Sequence, residues 1–190
     1  MVLAHGAGLR MNSPFMNAFA QGLAKEDLRV VRFEFPYMRA WRETGVRRPP
    51  DPGPVLVETW QQVTAALNGE TPLVIGGKSL GGRIASLIAD DVGALGLVCL
   101  GYPFHPPGRP ERRRVEHLLR LKTPTLIVQG TRDPFGRPDE VAGYGLPSTI
   151  ELAWIEEGDH SYRPPARSGH TVEQNLTKAV NAVAAFVTTL

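Results

Sequence analysis

Short runs of apolar residues alternate along the chain with stretches whose apolar positions recur every three or four residues. The continuous runs predict six strands, at residues 2–4, 28–35, 73–76, 95–100, 124–129 and 149–155. Because the runs are apolar at successive positions and not at every second one, they are typical of strands buried on both faces. The alternation of strand and helix therefore predicts a three-layer α/β sandwich around a mostly parallel sheet of about six strands.

The stretches with helical spacing lie between the predicted strands. They predict helices at residues 14–25, 54–67, 80–91, 138–144 and 172–188, with a further short helix from about residue 111. Ser13 before Pro14 is typical of a helix start. In the helix after residue 79, Ile84, Leu87 and Ile88 are expected to face inward. Residues 36–53 contain four prolines and several arginines, and they predict a long loop.

Composition limits the classes of protein that fit this pattern. The chain has 190 residues, 42% of them hydrophobic and 21% charged, which predicts one globular domain over residues 1–190. The net charge of +2 gives no reason to expect nucleic-acid binding. The apolar runs are too short for a membrane span, so no membrane association is expected.

The cysteine count and the N-terminal residues indicate the cellular compartment in which the protein is expected. Cys99 is the single cysteine, so an intrachain disulfide is excluded and a buried, inert thiol is expected. The first residues lack the features of a signal peptide, and we expect a cytoplasmic protein. A strand that starts at the first residue is unusual, which raises the expectation that the natural N-terminus lies a few residues upstream.

The most informative motif is Gly77-Lys78-Ser79-Leu80-Gly81, between a predicted strand and a predicted helix. Strand, turn and helix form the context in which Gly-x-Ser-x-Gly is a nucleophile elbow, a tight turn that exposes a reactive serine. A phosphate-binding loop would need glycine at position 72, where the sequence has Pro72. The dinucleotide-binding spacing of glycines also fails. The remaining alternative is a glycine-rich turn that only packs.

An acid and a base follow later strands. Asp133 comes after the fifth predicted strand and His160 after the sixth, and Ser79 follows the third. Because parallel strands end at one edge of the sheet, these side chains are expected to meet there. The order serine, acid, histidine is that of a hydrolase triad. His160 would take the proton of Ser79, and Asp133 would orient the imidazole.

The oxyanion of such a reaction needs two N–H donors. The backbone N–H groups of Leu80, just after the nucleophile, and of Ala7, in His5-Gly6-Ala7-Gly8 after the first strand, are the candidates. Four aromatic residues near the same edge are candidates for the wall of an acyl pocket, with ordinary packing as the alternative. They are Tyr102, Phe104, Phe135 and Tyr162.

Other residues compete for the catalytic roles. His5 is expected to order its own loop, and His105 could line the edge of the site. Surface positions are expected for His117 and His170. Asp159 adjoins His160 too closely to orient its ring, and Glu34 is a candidate for a supporting carboxylate or for an ion pair with a nearby arginine.

Two sets of cations remain open to interpretation. Lys78 would either favour anionic substrates or turn to a local carboxylate. The arginines at 39–48 and 109–120 would either form solvated faces or recruit acidic partners or substrates.

These motifs, with Gln129-Gly130-Thr131-Arg132-Asp133 and Gly158-Asp159-His160-Ser161, make the chain resemble a small member of the α/β-hydrolase superfamily along nearly its whole length. The set is similar to a bacterial branch of dienelactone-hydrolase-like proteins that is related to a subunit of an animal chromatin acetyltransferase complex. The resemblance implies a shortened hydrolase sheet without its first two strands. The short segment at 101–123 leaves no room for a lid, so an open, shallow site is expected.

The function predicted from these observations is hydrolysis of small, accessible esters or related acyl bonds through an acyl-serine intermediate. The predicted partner is therefore a small-molecule ester or acyl substrate, and this chemistry implies neither a metal nor an organic cofactor. Two alternatives use the same fold. One is a binding or scaffold protein without catalysis, and the other is transfer of the acyl group to an acceptor other than water. The sequence leaves the oligomeric state open.

Overall fold

The computed structural model describes residues 1–67, 69 and 73–190. Its strands are β1 (Val2–Ala4), β2 (Val31–Phe33), β3 (Val74–Lys78), β4 (Gly96–Leu100), β5 (Thr125–Gly130) and β6 (Ile150–Ile155). They form one sheet in the order β2-β1-β3-β4-β5-β6, and each neighbouring pair is parallel. All six strands therefore end at the same edge of the sheet, which is the edge where the candidate side chains follow them.

Helices cover both faces of this sheet. They are α1 (Pro14–Lys25), α2 (Pro36–Thr44), α3 (Gly53–Leu67), α4 (Leu80–Ile88), α5 (Pro138–Ala142) and α6 (Val172–Thr188), with a 3₁₀ helix at Leu118–Arg120. Apolar residues of α1 and α6 pack on one face, and those of α2 to α5 pack on the other. The predicted three-layer α/β architecture is confirmed.

The two cores explain why the strands read as continuous apolar runs. Along β4, Val98 and Leu100 face the helices of one layer while Leu97 and Cys99 face those of the other. All four side chains are inaccessible to solvent. Removing apolar surface from water contributes roughly 25 cal/mol per Å², and the central strands β3, β4 and β5 are buried at every position.

The prediction of a loop at 36–53 was wrong in its first half, where α2 forms. Pro36 takes the first helical position, where its missing N–H costs nothing. Tyr37 and Met38 turn into the core, and Gly45 ends the helix in the left-handed conformation at φ 73°. A proline directly after a strand was interpreted as a loop signal, although it is equally suited to begin a helix.

Three smaller predictions were also wrong. The strand predicted at 28–35 is confined to Val31–Phe33. The helix expected from about residue 111 is replaced by turns, and only Leu118–Arg120 is helical. Leu87 is 39% exposed, whereas Ile84 and Ile88 are buried as predicted. Ser86 and Ile88 on either side of Leu87 are buried, so only the side of α4 that carries Leu87 faces solvent.

In the part of the chain described above, no helix combines the length and apolar content needed to cross a bilayer.

Candidate active site

The turn between β3 and α4 has the geometry of a nucleophile elbow. Ser79 adopts φ 49° and ψ −111°, a conformation that is strained for a residue with a side chain. Gly81 is required because a Cβ there would lie 2.6 Å from the carbonyl oxygen of Ala4 and 2.7 Å from that of His5. The close approach of α4 to the end of β1 therefore places the Ser79 hydroxyl at the edge of the sheet.

His160 joins the hydroxyl to a buried carboxylate. Its Nε2 lies 2.9 Å from Ser79 Oγ, and its Nδ1 lies 2.7 Å from Asp133 Oδ2. Asp133 is completely buried, while the imidazole keeps 23% of its side-chain surface exposed. The three side chains predicted from the sequence are thus brought into one hydrogen-bonded chain, with the histidine facing the open side.

Asp133 is held by two further donors. Gln129 Nε2 donates to its Oδ2 at 2.9 Å, and the backbone N–H of Phe135 donates to its Oδ1 at 2.9 Å. Gln129 is itself buried and also accepts the backbone N–H of Tyr102 at 2.7 Å. Sequence reasoning missed Gln129, although an amide in an otherwise apolar strand, four residues before the acid, was a usable signal.

The environment keeps His160 suited to act as a base. Burial lowers its pKa below the ordinary value, the hydrogen bond that it donates to Asp133 opposes that shift, and the nearby positive charge of Lys78 adds to it. The ring of Phe135 packs against the imidazole, with 4.3 Å between centroids. A histidine with a lowered pKa is neutral near pH 7 and can accept a proton.

The residues His5-Gly6-Ala7-Gly8 after β1, here called the oxyanion loop, lie directly beside Ser79. A Cβ at Gly6 would be 3.6 Å from the Cβ of Ser79. Ala7 is exposed at the mouth of the site, and Leu80 is the first residue of α4. The first N–H groups of a helix have no intrahelical acceptor. The positions of Ala7 and Leu80 are therefore compatible with two donors for an oxyanion.

Two buried side chains fix the oxyanion loop. His5 accepts the backbone N–H of Phe35 at its Nε2, 3.1 Å away, and its Nδ1 lies 2.8 Å from the carbonyl of Gly6. Tyr37 donates to the carbonyl of Ala7 at 3.2 Å. The ordering role expected for His5 fits this geometry. Tyr37 was not predicted because it belongs to α2, and the sequence predicts a loop over these residues.

Lys78 adopts neither of the two orientations expected from the sequence. It is 1% exposed, and its Nζ donates to the backbone carbonyl of His160 at 2.6 Å. Gly101 makes room for it, since a Cβ there would lie 2.7 Å from Nζ. The ammonium is therefore buried away from a substrate, and among the described residues it forms no ion pair with a carboxylate.

Three of the four predicted pocket residues cannot line an open site. Tyr102, Phe104 and Tyr162 have no exposed surface. Tyr102 donates to the carbonyl of Arg114 at 2.9 Å and Tyr162 to that of Val128 at 3.0 Å, so their polar ends point into the protein. Their role is core packing, and Phe135 alone of the four is partly exposed beside the imidazole.

The competing histidines lie elsewhere. His105 is buried with Nδ1 2.9 Å from the carbonyl of Pro106, and it does not line the site. His117 was expected at the surface but is half-buried, 2.8 Å from Ser86 Oγ. His170 is also half-buried, just before α6.

The two competing acids have partners outside the triad. Glu34 accepts Arg42 Nε at 2.7 Å, which is the ion pair that the sequence analysis kept as an alternative. Asp159 accepts the backbone N–H groups of Ser161 at 2.7 Å and Arg163 at 2.9 Å. Asp159 thereby closes the turn that presents His160.

A family model described as an alpha/beta hydrolase domain matches residues 1–188 of the chain. The chain belongs to the α/β-hydrolase family. Solved structures of this fold superpose on it although their sequences differ widely. An alpha-beta serine hydrolase homologue from Coxiella burnetii has a TM-score of 0.72 at 20% identity, covering 97% of this chain and 82% of its own.

Two further solved structures give comparable superpositions. A serine hydrolase from Xanthomonas campestris, described as lacking a lid, has a TM-score of 0.72 at 18% identity, with 99% of this chain and 81% of the other covered. Est1E from Butyrivibrio proteoclasticus has a TM-score of 0.69 at 16% identity, with 99% and 86% covered. These likenesses support the α/β-hydrolase fold, and in this chain the connection at 101–123 carries only one short 3₁₀ helix.

Proposed function

We propose that this α/β hydrolase is a serine esterase that cleaves small, accessible esters or related acyl bonds through an acyl-Ser79 intermediate. The observation that carries the proposal is the pair of contacts made by His160, to Ser79 Oγ at 2.9 Å and to Asp133 Oδ2 at 2.7 Å. A serine hydroxyl is a weak nucleophile at neutral pH and needs an oriented base to remove its proton. The names of the esterase and serine-hydrolase neighbours are in keeping with this chemistry.

In the first half of the reaction, Ser79 Oγ attacks the ester carbonyl carbon while its proton passes to His160 Nε2. The carbonyl oxygen becomes an oxyanion and accepts hydrogen bonds from the N–H groups of Ala7 and Leu80. When the tetrahedral intermediate collapses, the bond to the alcohol oxygen breaks, and His160 returns the proton to that oxygen. The alcohol leaves, and the acyl group stays on Ser79.

In the second half, water takes the place of the alcohol. His160 removes a proton from the water molecule, whose oxygen attacks the acyl carbon. The second tetrahedral intermediate releases the carboxylic acid, and the proton on His160 returns to Ser79 Oγ. Asp133 stays ionised and stabilises the imidazolium that forms in each half.

Covalent labelling tests the proposal. A fluorophosphonate probe is expected to label the wild-type protein at Ser79, because the probe reacts with an activated serine. Excess 4-nitrophenyl butyrate should slow the labelling, and Ser79→Ala should abolish it. Tandem mass spectrometry of the labelled peptide identifies the site. Equal labelling of wild type and Ser79→Ala, or no labelling of a folded wild-type protein, would contradict the proposal, and a non-catalytic binding role would then be favoured.

A further inference from the structure

A cleft of about 390 Å³ opens next to the oxyanion loop. One side of it is the backbone of Ala7 and Gly8, and the other side comes from the segment after α2. Its lining residues are Ala7, Gly8, Arg47, Arg48, Pro49 and Pro50. Because Ala7 is the proposed oxyanion donor, the cleft adjoins the place where the carbonyl oxygen of a substrate would be bound.

Trp41 lies beneath two arginines, Arg10 and Arg47, of which Arg47 lines the cleft. The guanidinium of Arg10 lies 5.2 Å from the Trp41 ring centroid and that of Arg47 lies 5.5 Å from it. Arg47 Nη2 also lies 3.9 Å from the position of a Cβ at Gly8. Stacking on an aromatic face holds the carbon and nitrogen plane of a guanidinium while leaving its N–H donors free to bind an oxygen anion.

The described residues that line the cleft include two arginines, Arg47 and Arg48, and no carboxylate. Within residues 1–67, 69 and 73–190, the ion pairs on this side of the molecule are those of Arg42 with Glu34 and Glu43. Asp51 lines the neighbouring depression with Arg48, but its Oδ2 accepts the backbone N–H of Tyr37 at 2.8 Å. The cleft therefore carries a net positive charge beside the reacting carbonyl.

We propose that this cleft, named here the arginine cleft, binds a carboxylate carried by the ester substrate. The inference rests on the proposed esterase function and narrows its substrate class to esters with a second, anionic group. Arginine is suited to this role because its fork of N–H donors matches the two oxygens of a carboxylate. Lys78 contributes nothing to this preference, since its ammonium is buried against His160.

Matched ester pairs test the arginine cleft. Mono-4-nitrophenyl adipate carries a carboxylate where 4-nitrophenyl hexanoate carries a methyl group. The wild-type kcat/KM is expected to favour the adipate ester by about tenfold, in the range of a charge-assisted hydrogen bond. The double variant Arg47→Gln/Arg48→Gln should remove this preference, and 0.5 M NaCl should weaken it in the wild type because salt screens exposed charges. 4-Acetoxybenzoate, compared with phenyl acetate, examines a carboxylate on the alcohol side.

Arg120→Gln is the control for loss of one positive charge. Arg120 precedes β5 and so lies at the opposite edge of the sheet from the site. This variant should keep the wild-type preference. Hydrolysis of the neutral esters with no preference for either anionic ester would overturn the arginine cleft and leave the esterase function standing. Failure to hydrolyse any ester would overturn both.

A second inference comes from an independent observation, the buried contact of Lys78. Its Nζ binds the carbonyl of His160, while the imidazole of the same residue binds Ser79, the neighbour of Lys78 in the chain. The face of Phe15 covers the ammonium, with Nζ 5.5 Å from the ring centroid. Lys78, at the end of β3, and Ser79, in the elbow, are thus both hydrogen-bonded to His160 in the loop after β6.

We infer that Lys78 is a positioning residue that holds the backbone of His160 at the distance from Ser79 needed for proton transfer. This inference also rests on the proposed function. Asp133 and Asp159 are the acids that act on the ammonium, from the turn after β5 and from the loop after β6, and burial lowers the pKa of Lys78 to about 7. The lysine is charged below that pH, where it opposes protonation of His160.

Lys78→Met is expected to lower kcat by roughly ten- to a hundredfold with little change in KM, because small displacements of a catalytic group are costly. Removing the positive charge should raise the pKa of His160, so the acid limb of the kcat/KM profile should move to higher pH. The melting temperature should change little, because methionine is only one atom shorter than lysine, and removal of a buried charge offsets loss of the hydrogen bond to the His160 carbonyl. Lys25→Met, at the surface end of α1, is the control for loss of a lysine.

A purely structural lysine would give a different result. In that case Lys78→Met would lower the melting temperature without moving the acid limb in the folded fraction, and the inference would be wrong. Lys78→Gln gives a second measurement because it keeps an N–H donor of shorter reach. It should retain more activity than Lys78→Met, and equal wild-type activity in both variants would also overturn the positioning role.

Discussion

Replacing Ser79 with alanine is expected to lower kcat for 4-nitrophenyl butyrate by at least about 10⁴-fold, with little change in KM. The acyl intermediate cannot form without Oγ, and the remaining oxyanion donors can only assist direct attack by water. The strained turn tolerates the change because alanine keeps the Cβ of serine and the glycines around it are unaltered. Initial rates and circular dichroism spectra of both proteins check the expectation.

Ser86→Ala is the matched control for this substitution. Ser86 lies one and a half turns along α4, where its hydroxyl donates to the carbonyl of Arg83 at 2.7 Å. Loss of this hydroxyl should leave ester hydrolysis near the wild-type rate. If Ser79→Ala keeps more than a few per cent of the wild-type kcat, Ser79 is not the nucleophile, and the proposed mechanism is wrong.

Asp133→Asn is expected to lower kcat by about 10³- to 10⁴-fold. Asp133 accepts hydrogen bonds from Gln129, from the backbone of Phe135 and from His160. Asparagine replaces one carboxylate oxygen with an NH₂ group, although all three partners of this side chain are themselves hydrogen-bond donors. In either orientation of the amide, one N–H faces another N–H. When the amide nitrogen faces His160 Nδ1, the imidazole takes the other tautomer, and Nε2 can no longer accept the Ser79 proton.

The kinetic effect of Asp133→Asn should be separable from a loss of stability. Asp159→Asn is the comparison, because Asp159 is the neighbouring acid but its side chain accepts hydrogen bonds from the backbone N–H groups of Ser161 and Arg163 and not from the imidazole. We expect it to lower the melting temperature more than it lowers kcat. Equal losses of kcat in the two variants would contradict the orienting role of Asp133.

The sequence predicted the sheet well because burial on both faces leaves a strong signal. Each central strand contains a run of apolar residues. A run such as 95–100 is suited only to a strand whose two faces are both covered. The three candidate catalytic side chains were also predictable, because parallel strands bring their following residues to one edge. The glycines around Ser79 added local evidence, since the elbow excludes side chains there.

Contacts that depend on side-chain direction were not predictable. Tyr102, Phe104 and Tyr162 follow strands at the correct edge, but whether an aromatic ring turns into the core or the site depends on neighbours distant in sequence. The direction of Lys78 depends on the empty space at Gly101 and on a loop more than 80 residues later. The narrower resemblance to dienelactone-hydrolase-like proteins and the chromatin-associated branch stays a prediction from motifs.

Gly101, which has a positive φ of 68°, leaves the space in which His160 joins Ser79 to Asp133. Ser79 follows β3 and Asp133 follows β5, so β4 separates them in the sheet. With strands about 4.8 Å apart, that separation is roughly 10 Å, and only an imidazole lying across the end of β4 can bridge it. A β-carbon on residue 101 would lie 3.0 Å from the His160 carbonyl and 3.3 Å from its Nδ1. His160 therefore depends on β4. This strand contributes no catalytic side chain, but the glycine at its end leaves room for the imidazole.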